Sequence, residues 1–231
     1  EDLEWLQIKY STEIRHQSEH MEDYKGAIKE LQKLDMVYPC FCSRSEIKAE
    51  IMRAGNAPHE EESSIYPGTC RRLSKEERFE KISKEISYAW RLNIRAASKK
   101  LGNLSWNDLR LGNHVLPVGT MGDVVLARKD VPTSYHLSAT LDDHIQRIGL
   151  VTRGEDLVSA THIHRIIQSL LGLKSPRYLH HPLILDSKGI RLSKRTRAQT
   201  VKSLKASGLK RSDVIDLFGK DNILSLLRLI K

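Results

Sequence analysis

Short apolar segments alternate with longer helical patterns between Asp123 and Gly172. Val124 to Ala127 and Ile148 to Thr152 are strand-like, whereas Ser134 to Gln146 and Glu155 to Leu171 have the periodicity of helices. Strands that alternate with helices favour a parallel sheet with helices packed on its faces. In such sheets, ligand-binding residues lie at the carboxyl ends of the strands. We therefore expect an α/β fold with functional side chains where these strands end.

The rest of the chain is mainly helical by pattern. Apolar residues recur at helical spacing from Met21 to Leu34, which predicts an amphipathic helix. Two Ser-x-x-Glu capping boxes, at Ser43 and at Ser74, each open a further helix. Alternation from Trp90 to Ile94 predicts a half-buried strand, and two helical stretches follow between Val201 and Ile230.

Positive charge is in excess and is concentrated late in the chain. The 38 Lys and Arg against 29 Asp and Glu give a net charge of +9, and nine of the basic residues lie between Asp186 and Arg211. This pattern fits either a solvated basic face or a surface that binds a polyanion, for which positive charge supplies affinity and steering. No apolar run approaches the ~20 residues of a membrane span, so no membrane role is expected.

All three cysteines lie between Cys40 and Cys70. An odd, clustered set without a secretory signal argues against disulfides and for a reduced, cytoplasmic protein. Cys40-x-Cys42 and the later Tyr66-x-x-x-Cys70 offer three thiolates to one metal ion, and zinc prefers four ligands with sulfur as its usual structural ligand. On the residues alone, the fourth ligand is Tyr66 or His59, and three buried cysteines without a metal are the alternative.

A pair of polar residues marks the ends of predicted elements in the second half of the chain. Tyr135 opens a helix after the segment 122–130, and Arg153 closes a strand in the sequence Arg-Gly-Glu-Asp. An Arg at the carboxyl edge of a sheet offers a bidentate fork for a carboxylate, and a Tyr hydroxyl can hydrogen-bond a polar substrate. The alternatives are that Tyr135 belongs to the core and that Arg153 pairs with Glu155 or Asp156.

A basic loop with the sequence Arg-Leu-Ser-Lys-Arg occupies residues 191–195. It is similar to the Lys-Met-Ser-Lys-Ser signature of class I aminoacyl-tRNA synthetases. In adenylate formation, the pyrophosphate leaving group gains negative charge as a carboxylate attacks the α-phosphate. A mobile Lys that meets this charge only in the transition state accelerates the step without over-binding ATP.

Together, these motifs resemble the glutamyl branch of the class I aminoacyl-tRNA synthetases, with the motifs in the family order from Asp2 to Arg195. The resemblance implies a partial Rossmann-type catalytic domain with a zinc-binding insertion and a helical C-terminal extension. It also implies four divisions of the chain. These are the remainder of the first Rossmann half, the zinc-bearing insertion, the second half with the signature loop, and the extension, at residues 1–35, 36–120, 121–195 and 196–231.

The same resemblance implies roles for single residues. Tyr135 and Arg153 match the positions that contact glutamate. Ser193 and Lys194 match the catalytic signature loop, and Lys194 and Arg191 would bind ATP with its magnesium. The implied zinc ligands are, in chain order, Cys40, Cys42, Tyr66 and Cys70.

Within that branch the chain is most similar to the glutamyl-Q tRNA(Asp) synthetases, short paralogues without an anticodon-binding domain. Only a short helical tail follows the signature loop, and Arg72 and Ala139 stand where glutamyl enzymes often carry a zinc-binding His and usually an Asn. The implied reaction is ATP-dependent activation of glutamate and its transfer to queuosine of tRNA(Asp) by a monomer. The alternatives are a truncated ordinary glutamyl-tRNA synthetase that charges tRNA(Glu), and a non-catalytic, zinc-stabilised RNA-binding paralogue.

One part of the family pattern has no counterpart in the sequence. The N-terminal strand and helix, with the HIGH motif and the Arg and Ser that hold the α-amino acid end, would precede Asp2. The HIGH histidines stabilise charge on the α-phosphate, so their loss removes much of the rate. We expect the 231-residue chain by itself to be a poor enzyme, and its lack of an initiator Met favours a fragment of an active enzyme over a degraded paralogue.

Overall fold

The computed structural model describes residues 1–10, 13–53, 66–183, 185, 200–217 and 228–229. Its α-helices are α1 Asp2–Trp5, α2 Met21–Lys33, α3 Arg44–Arg53, α4 Lys75–Ser83, α5 Ile94–Leu101, α6 Tyr135–Ile145, α7 Val158–Leu170, α8 Val201–Ala206 and α9 Arg211–Leu217. Its strands are β1 Val37–Cys40, β2 Ala89–Leu92, β3 Ser105–Asp108, β4 Gly112–Val115, β5 Val125–Ala127, β6 Leu150–Gly154 and β7 Arg177–His181. Single 3₁₀ turns occupy Gln17–Glu19, Thr69–Arg72, Val118–Thr120 and Glu155–Leu157.

The first sheet has three strands in the order β1-β2-β5, and both pairings are antiparallel. The strand predicted from Trp90 to Ile94 ends instead at Leu92. Asn93 accepts a hydrogen bond from the N–H of Ala96 and caps α5, so Ile94 becomes the first residue of a helix. An Asn side chain that satisfies an orphan helix N–H ends the extended backbone at that point.

The second sheet has four strands in the order β4-β3-β7-β6. Strands β3 and β4 form an antiparallel hairpin, whereas β7 is parallel to both β3 and β6. Helix α7 joins β6 to β7 as a parallel crossover. The register pairs Arg153 with His180, and neighbours in register on adjacent strands present their side chains on the same face.

The prediction that β5 and β6 lie in one parallel sheet is wrong. Strand β5 pairs with β2 in the first sheet, while β6 pairs with β7 in the second. The N–H of Leu92 donates to the carbonyl of Val124 at 2.9 Å, which continues this pairing just before β5 begins. A strand of three residues carries little pattern of its own, so tertiary hydrogen bonds decide its partner.

The apolar core lies between the two sheets and the helices α2, α5, α6 and α7. Helix α2 buries Tyr24, Ala27, Ile28 and Leu31, which confirms the amphipathic pattern. The predicted helices at 134–146 and 155–171 correspond to α6 and to a 3₁₀ turn followed by α7. Gly172, with φ of 66°, follows the end of α7 and has the left-handed backbone that favours glycine.

Both predicted capping boxes are present, at Ser43 and at Ser74. The loop at 191–195 and His59 lie outside the described residues. In the described part of the chain, no helix has the length and apolar character needed to cross a membrane. The four divisions of the chain stay a prediction.

Candidate functional site

Tyr135 and Arg153 come together at one edge of the second sheet. Tyr135 is the first residue of α6, and Arg153 is the fourth residue of β6. The guanidinium Nη1 of Arg153 donates to the hydroxyl of Tyr135 at 3.0 Å. Tyr135 is 48% exposed, so its ring is not part of the core and its hydroxyl can meet a ligand. The geometry thus presents a cation and a phenol to the same accessible surface.

The remaining partners of Arg153 lie on its buried side. Its Nη2 donates to the hydroxyl of Thr161, its Nε donates to Nε2 of His180 at 3.2 Å, and its Nη1 lies 3.4 Å from Nδ1 of His164. Among the described residues, the hydrogen-bond partners of this guanidinium are hydroxyls and imidazoles. Its positive charge is therefore not cancelled by any of these partners and is suited to a carboxylate ligand.

Glu155 does not pair with Arg153. Its carboxylate forms an ion pair with Arg110, whose Nε also donates to the carbonyl of His180 at 2.6 Å. Gly154 separates Arg153 from this ion pair, and a Cβ at that position would lie 2.5 Å from a carboxylate oxygen of Asp156. The Arg-Gly-Glu-Asp sequence therefore directs Arg153 and Glu155 to different partners.

Asp108 and His180 form a buried pair behind Arg153. One carboxylate oxygen of Asp108 accepts the N–H groups of Arg110 and Leu111, each at 2.8 Å. The other accepts the N–H of His180 at 2.9 Å and lies 2.7 Å from Nδ1 of the same imidazole. Burial alone would raise the pKa of Asp108, but the hydrogen bonds from His180 and from the backbone outweigh burial and lower this pKa. Asp108 is thus a carboxylate.

His180 is a neutral imidazole in this setting. Its burial lowers its pKa, and the neighbouring charge of Arg153 adds to this effect, while Asp108 opposes it. Because Nδ1 faces a carboxylate and Nε2 faces an N–H donor, we assign the proton to Nδ1 from the hydrogen-bond network. The sequence gives no reason to join Asp108 to a residue 72 positions away, so this pair was not predicted.

Two further imidazoles flank the same guanidinium. Burial, followed by the charge of Arg153, lowers the pKa of His136 to about 4 and lowers the pKa of His164 well below its ordinary value. The His164 ring lies 5.4 Å from the ring of Tyr135 and 5.5 Å from that of His136. Both imidazoles are neutral at pH 7, so they shape the site without adding positive charge.

An open cleft of about 850 Å³ lies beside these residues. Its walls include His136 and His162 from the side of α6 and α7, and Tyr66, Arg91 and Asp123 from the side of the first sheet. The cleft is thus lined both by His136, an imidazole near Arg153, and by Tyr66, whose hydroxyl adjoins the cysteines. Its size is that of ordinary ligand sites in proteins.

The three cysteines converge on one point. Their sulfur atoms all lie within 4.8 Å of one another, and Sγ of Cys42 is 3.3 Å from Sγ of Cys70. The hydroxyl of Tyr66 lies 3.4 Å from Sγ of Cys40 and 3.6 Å from Sγ of Cys42. Tetrahedral zinc with sulfur at about 2.3 Å places its sulfur ligands about 3.8 Å apart, so the four atoms fit one zinc ion with small adjustments.

Two features hold Tyr66 in this cluster. Its hydroxyl oxygen accepts the N–H of Cys70 at 2.9 Å, which would stabilise a phenolate bound to a metal. The guanidinium of Arg91 lies 3.9 Å from the centre of the Tyr66 ring, a cation–π contact. Tyr66 is 6% exposed, so its hydroxyl is available to the cysteines rather than to solvent.

Asp123 fixes the cysteine-bearing segment to the body of the protein. Its carboxylate accepts hydrogen bonds from the hydroxyl of Tyr38 at 2.5 Å, from Arg71 at 2.7 Å and from the N–H of Ile94 at 2.9 Å. Arg71 follows Cys70 directly in the chain, and Tyr38 lies in β1 two residues before Cys40. The buried carboxylate thus joins both halves of the cluster to the start of α5.

Residues 1–220 match the family described as tRNA synthetases class I (E and Q), catalytic domain. The chain belongs to this family. It is 38% identical over 228 residues to a glutamyl-Q tRNA(Asp) synthetase of Rhodobacter capsulatus, covering 95% of this chain and 80% of that protein. It is 36% identical to a glutamyl-Q tRNA(Asp) synthetase of Leptothrix cholodnii, covering 85% of this chain and 64% of that protein.

A glutamate–tRNA ligase of Hydrogenobaculum is 34% identical, and the match covers 90% of this chain but 43% of that protein. The crystal structure of a glutamate tRNA ligase from Elizabethkingia meningosepticum superposes with a TM-score of 0.68 over 90% of this chain and 42% of that protein, at 24% identity. This likeness shows the fold, which is mixed α/β. The chain spans well under two thirds of the length of several of the proteins that it matches.

Proposed function

We propose that this chain takes part in the ATP-dependent activation of glutamate and its transfer to tRNA, with queuosine of tRNA(Asp) as the acceptor. The observation that carries this proposal is the Arg153 guanidinium, which is fixed from behind and faces an accessible surface beside Tyr135. Relatives named as glutamyl-Q tRNA(Asp) synthetases at 36–38% identity support the choice of acceptor. We propose that the protein carries out this reaction in the cytoplasm.

In this proposal, Arg153 and Tyr135 hold a carboxylate of glutamate. The guanidinium presents paired N–H donors to the two carboxylate oxygens, and the Tyr135 hydroxyl is the partner that a ligand can share or displace, since it is half exposed. The α-carboxylate of glutamate, rather than the side-chain carboxylate that Arg153 would hold, then attacks the α-phosphate of ATP. This step forms glutamyl adenylate and releases pyrophosphate. Ser193, Lys194 and Arg191, which lie outside the described residues, would stabilise the charge on the departing phosphates with the magnesium of ATP.

We also propose a structural zinc ion held by the cysteine cluster, with Tyr66 as the fourth ligand. Three thiols and one phenol fill the four positions of a tetrahedral site and leave none open for substrate, which is typical of a structural rather than a catalytic zinc. The ion would join β1 to the 3₁₀ turn at Thr69–Arg72 and so order one wall of the cleft.

The zinc proposal is tested by the metal content of the purified protein and by its thermal stability. We expect one zinc per chain, loss of zinc in Cys42→Ser, and a lower unfolding midpoint on chelation. Tyr66→Phe keeps all three sulfur atoms and should weaken zinc binding without abolishing it. Equal affinity in Tyr66→Phe and the unmodified protein would exclude Tyr66 as a ligand, and a metal-free, equally stable protein would exclude the site.

The proposed reaction is tested by glutamate-dependent ATP–pyrophosphate exchange, run on the full-length gene product and on the 231-residue chain. Each is assayed without tRNA, with tRNA(Asp) and with tRNA(Glu). Exchange by the full-length product without tRNA supports a glutamyl-Q enzyme, because ordinary glutamyl-tRNA synthetases generally need tRNA to activate glutamate. Exchange only with tRNA(Glu) supports the ordinary enzyme, and silence in every arm supports a non-catalytic RNA-binding protein.

Arg153→Lys is the variant that tests the carboxylate site. Lys keeps the charge but loses the planar fork, so the KM for glutamate should rise at least about tenfold while the KM for ATP stays unchanged. Arg128→Lys is the matched control, since Arg128 is exposed and pairs with Asp130. Unchanged glutamate affinity in Arg153→Lys would remove Arg153 from the glutamate site.

A further inference from the structure

Buried side chains hold the inner side of the Arg153 guanidinium through hydrogen bonds. Thr161 and His180 are fully buried, and both contact the guanidinium, one through Nη2 and the other through Nε. The Thr161 hydroxyl also lies 3.0 Å from Nε2 of His180 and donates to the carbonyl of Leu157 at 3.1 Å. These groups come from β7 and from α7, so two elements fix one side chain.

The arrangement depends on which nitrogen of His180 carries the proton. Nε2 can accept the Nε–H of Arg153 only if Nε2 is unprotonated, which places the proton on Nδ1. The carboxylate of Asp108 lies 2.7 Å from Nδ1 and accepts a hydrogen bond from the Nδ1–H group. The N–H groups of Arg110 and Leu111 hold this carboxylate in place. A carboxylate in this position selects the tautomer that suits the arginine.

We propose that Asp108, His180 and Thr161 are positioning residues that hold the Arg153 guanidinium in the orientation that receives the substrate carboxylate. Asp108 sets the His180 tautomer, and His180 and Thr161 then orient the Nε and Nη2 edges of Arg153. We call this chain of hydrogen bonds, from Asp108 through His180 and Thr161 to Arg153, the relay. The identity of the ligand as glutamate rests on the proposed function, whereas the relay does not. None of the three residues reaches the exposed side, so their effect on substrate passes through Arg153.

Pre-orientation matters here because arginine has many rotamers in solution. A guanidinium that must be ordered during binding costs affinity, and one that is already ordered does not. Asp108 also places a negative charge one imidazole ring away from Arg153, on the side opposite to the face that the ligand would use. A carboxylate in direct contact with Arg153 would instead compete with the substrate.

The kinetic test uses matched substitutions at Thr161 in the full-length gene product. Thr161→Val keeps the shape and removes the hydroxyl, so it should raise the KM for glutamate about tenfold, the loss expected for one hydrogen bond to a charged group. The KM for ATP should not change, and Thr161→Ser should restore glutamate affinity. A purely structural role would raise both KM values or neither, and either result would overturn the proposal.

The spectroscopic test does not require enzymatic activity. In ¹⁵N-labelled protein, His180 should show a protonated Nδ1 and an unprotonated Nε2 at pH 7, and the Nε–H of Arg153 should be protected from exchange. Asp108→Asn, which can donate to Nδ1, should move the proton to Nε2 and expose the Arg153 Nε–H to exchange. A proton on Nε2 in the unmodified protein would refute the relay.

The two tests separate the relay from the proposed reaction. If the unmodified full-length product shows the Nδ1–H tautomer but no glutamate-dependent exchange, the relay stands and the proposed function fails. If exchange is present while Thr161→Val leaves the KM for glutamate unchanged, the function stands and the positioning role fails.

Discussion

Asp123→Ala removes a buried carboxylate that three donors share. The Asp123 side chain is 1% exposed and accepts hydrogen bonds from Tyr38, Arg71 and the N–H of Ile94. Tyr38 and Ile94 are each 2% exposed, so both of these donors are buried in the folded protein. Arg71 is 30% exposed and can turn its guanidinium toward solvent. The substitution therefore leaves two buried donors without an acceptor.

The cost follows from these two donors. A buried donor without a partner costs about 1–3 kcal/mol, so the two donors left by Asp123→Ala should lower the free energy of unfolding by about 2–6 kcal/mol. For a chain of this size, at about 2–4 °C per kcal/mol, that corresponds to a fall in the thermal unfolding midpoint of roughly 4–24 °C. The cleft beside Asp123 can admit water to the vacated space, which favours the lower half of this range.

The assay is urea unfolding followed by tryptophan fluorescence, with the metal content held constant. Asp130→Ala is the matched control, because Asp130 pairs with Arg128 on the surface and is 63% exposed. This control should not change the midpoint. Adding Tyr38→Phe to Asp123→Ala should recover part of the loss, since it removes an orphaned hydroxyl. The reasoning is refuted if Asp123→Ala matches its control or if Tyr38→Phe causes a further loss of similar size.

Further predictions concern two glycines and one histidine. Gly26→Ala, at an exposed position in α2 where an added Cβ meets nothing within 4 Å, should raise the free energy of unfolding by about 0.5–1 kcal/mol in urea titrations. Gly154→Ala places a Cβ 2.5 Å from Asp156 and 3.1 Å from Leu183, so it should lower stability by about 1–3 kcal/mol and raise the KM for glutamate; unchanged values would show that the loop adapts. Burial lowers the pKa of His136 from 6.5 to about 4, so the unfolded chain binds a proton that the folded chain does not, and stability should fall as the pH drops from 6.5 toward 4. His136→Phe should make unfolding midpoints less dependent on pH across this window, and an unchanged slope would contradict the assignment.

Local pattern predicts much of the secondary structure. Helix α2 follows its amphipathic spacing, and α4 begins at the capping box of Ser74, because both signals act within a few residues. The strand from Trp90 was predicted two residues too long, since the cap at Asn93 ends it. The predicted sheet partner of β5 was wrong because local pattern does not report on distant pairing. Its partner strand β2 lies more than 30 residues away in the chain.

Some residues of the candidate site could be predicted from the sequence, and others could not. Tyr135 and Arg153 could be chosen from the sequence because each stands at a recognisable end of a helix or strand, and the cysteines could be chosen because they cluster in the chain. Asp108 could not be chosen, because an Asp at the end of a short strand has no special pattern. Its role follows from the pairing of β3 with β7, which brings it to His180.

The sequence by itself determined the residue chemistry of this protein and where its helices form: short-range periodicity, caps and motif spacing act along the chain. The tertiary structure decided which strands pair, which groups surround Arg153, and that its buried partners are neutral while Asp108 stands one imidazole away. These features depend on contacts between residues far apart in sequence. Strand register and burial set such contacts, and both are properties of the folded chain as a whole.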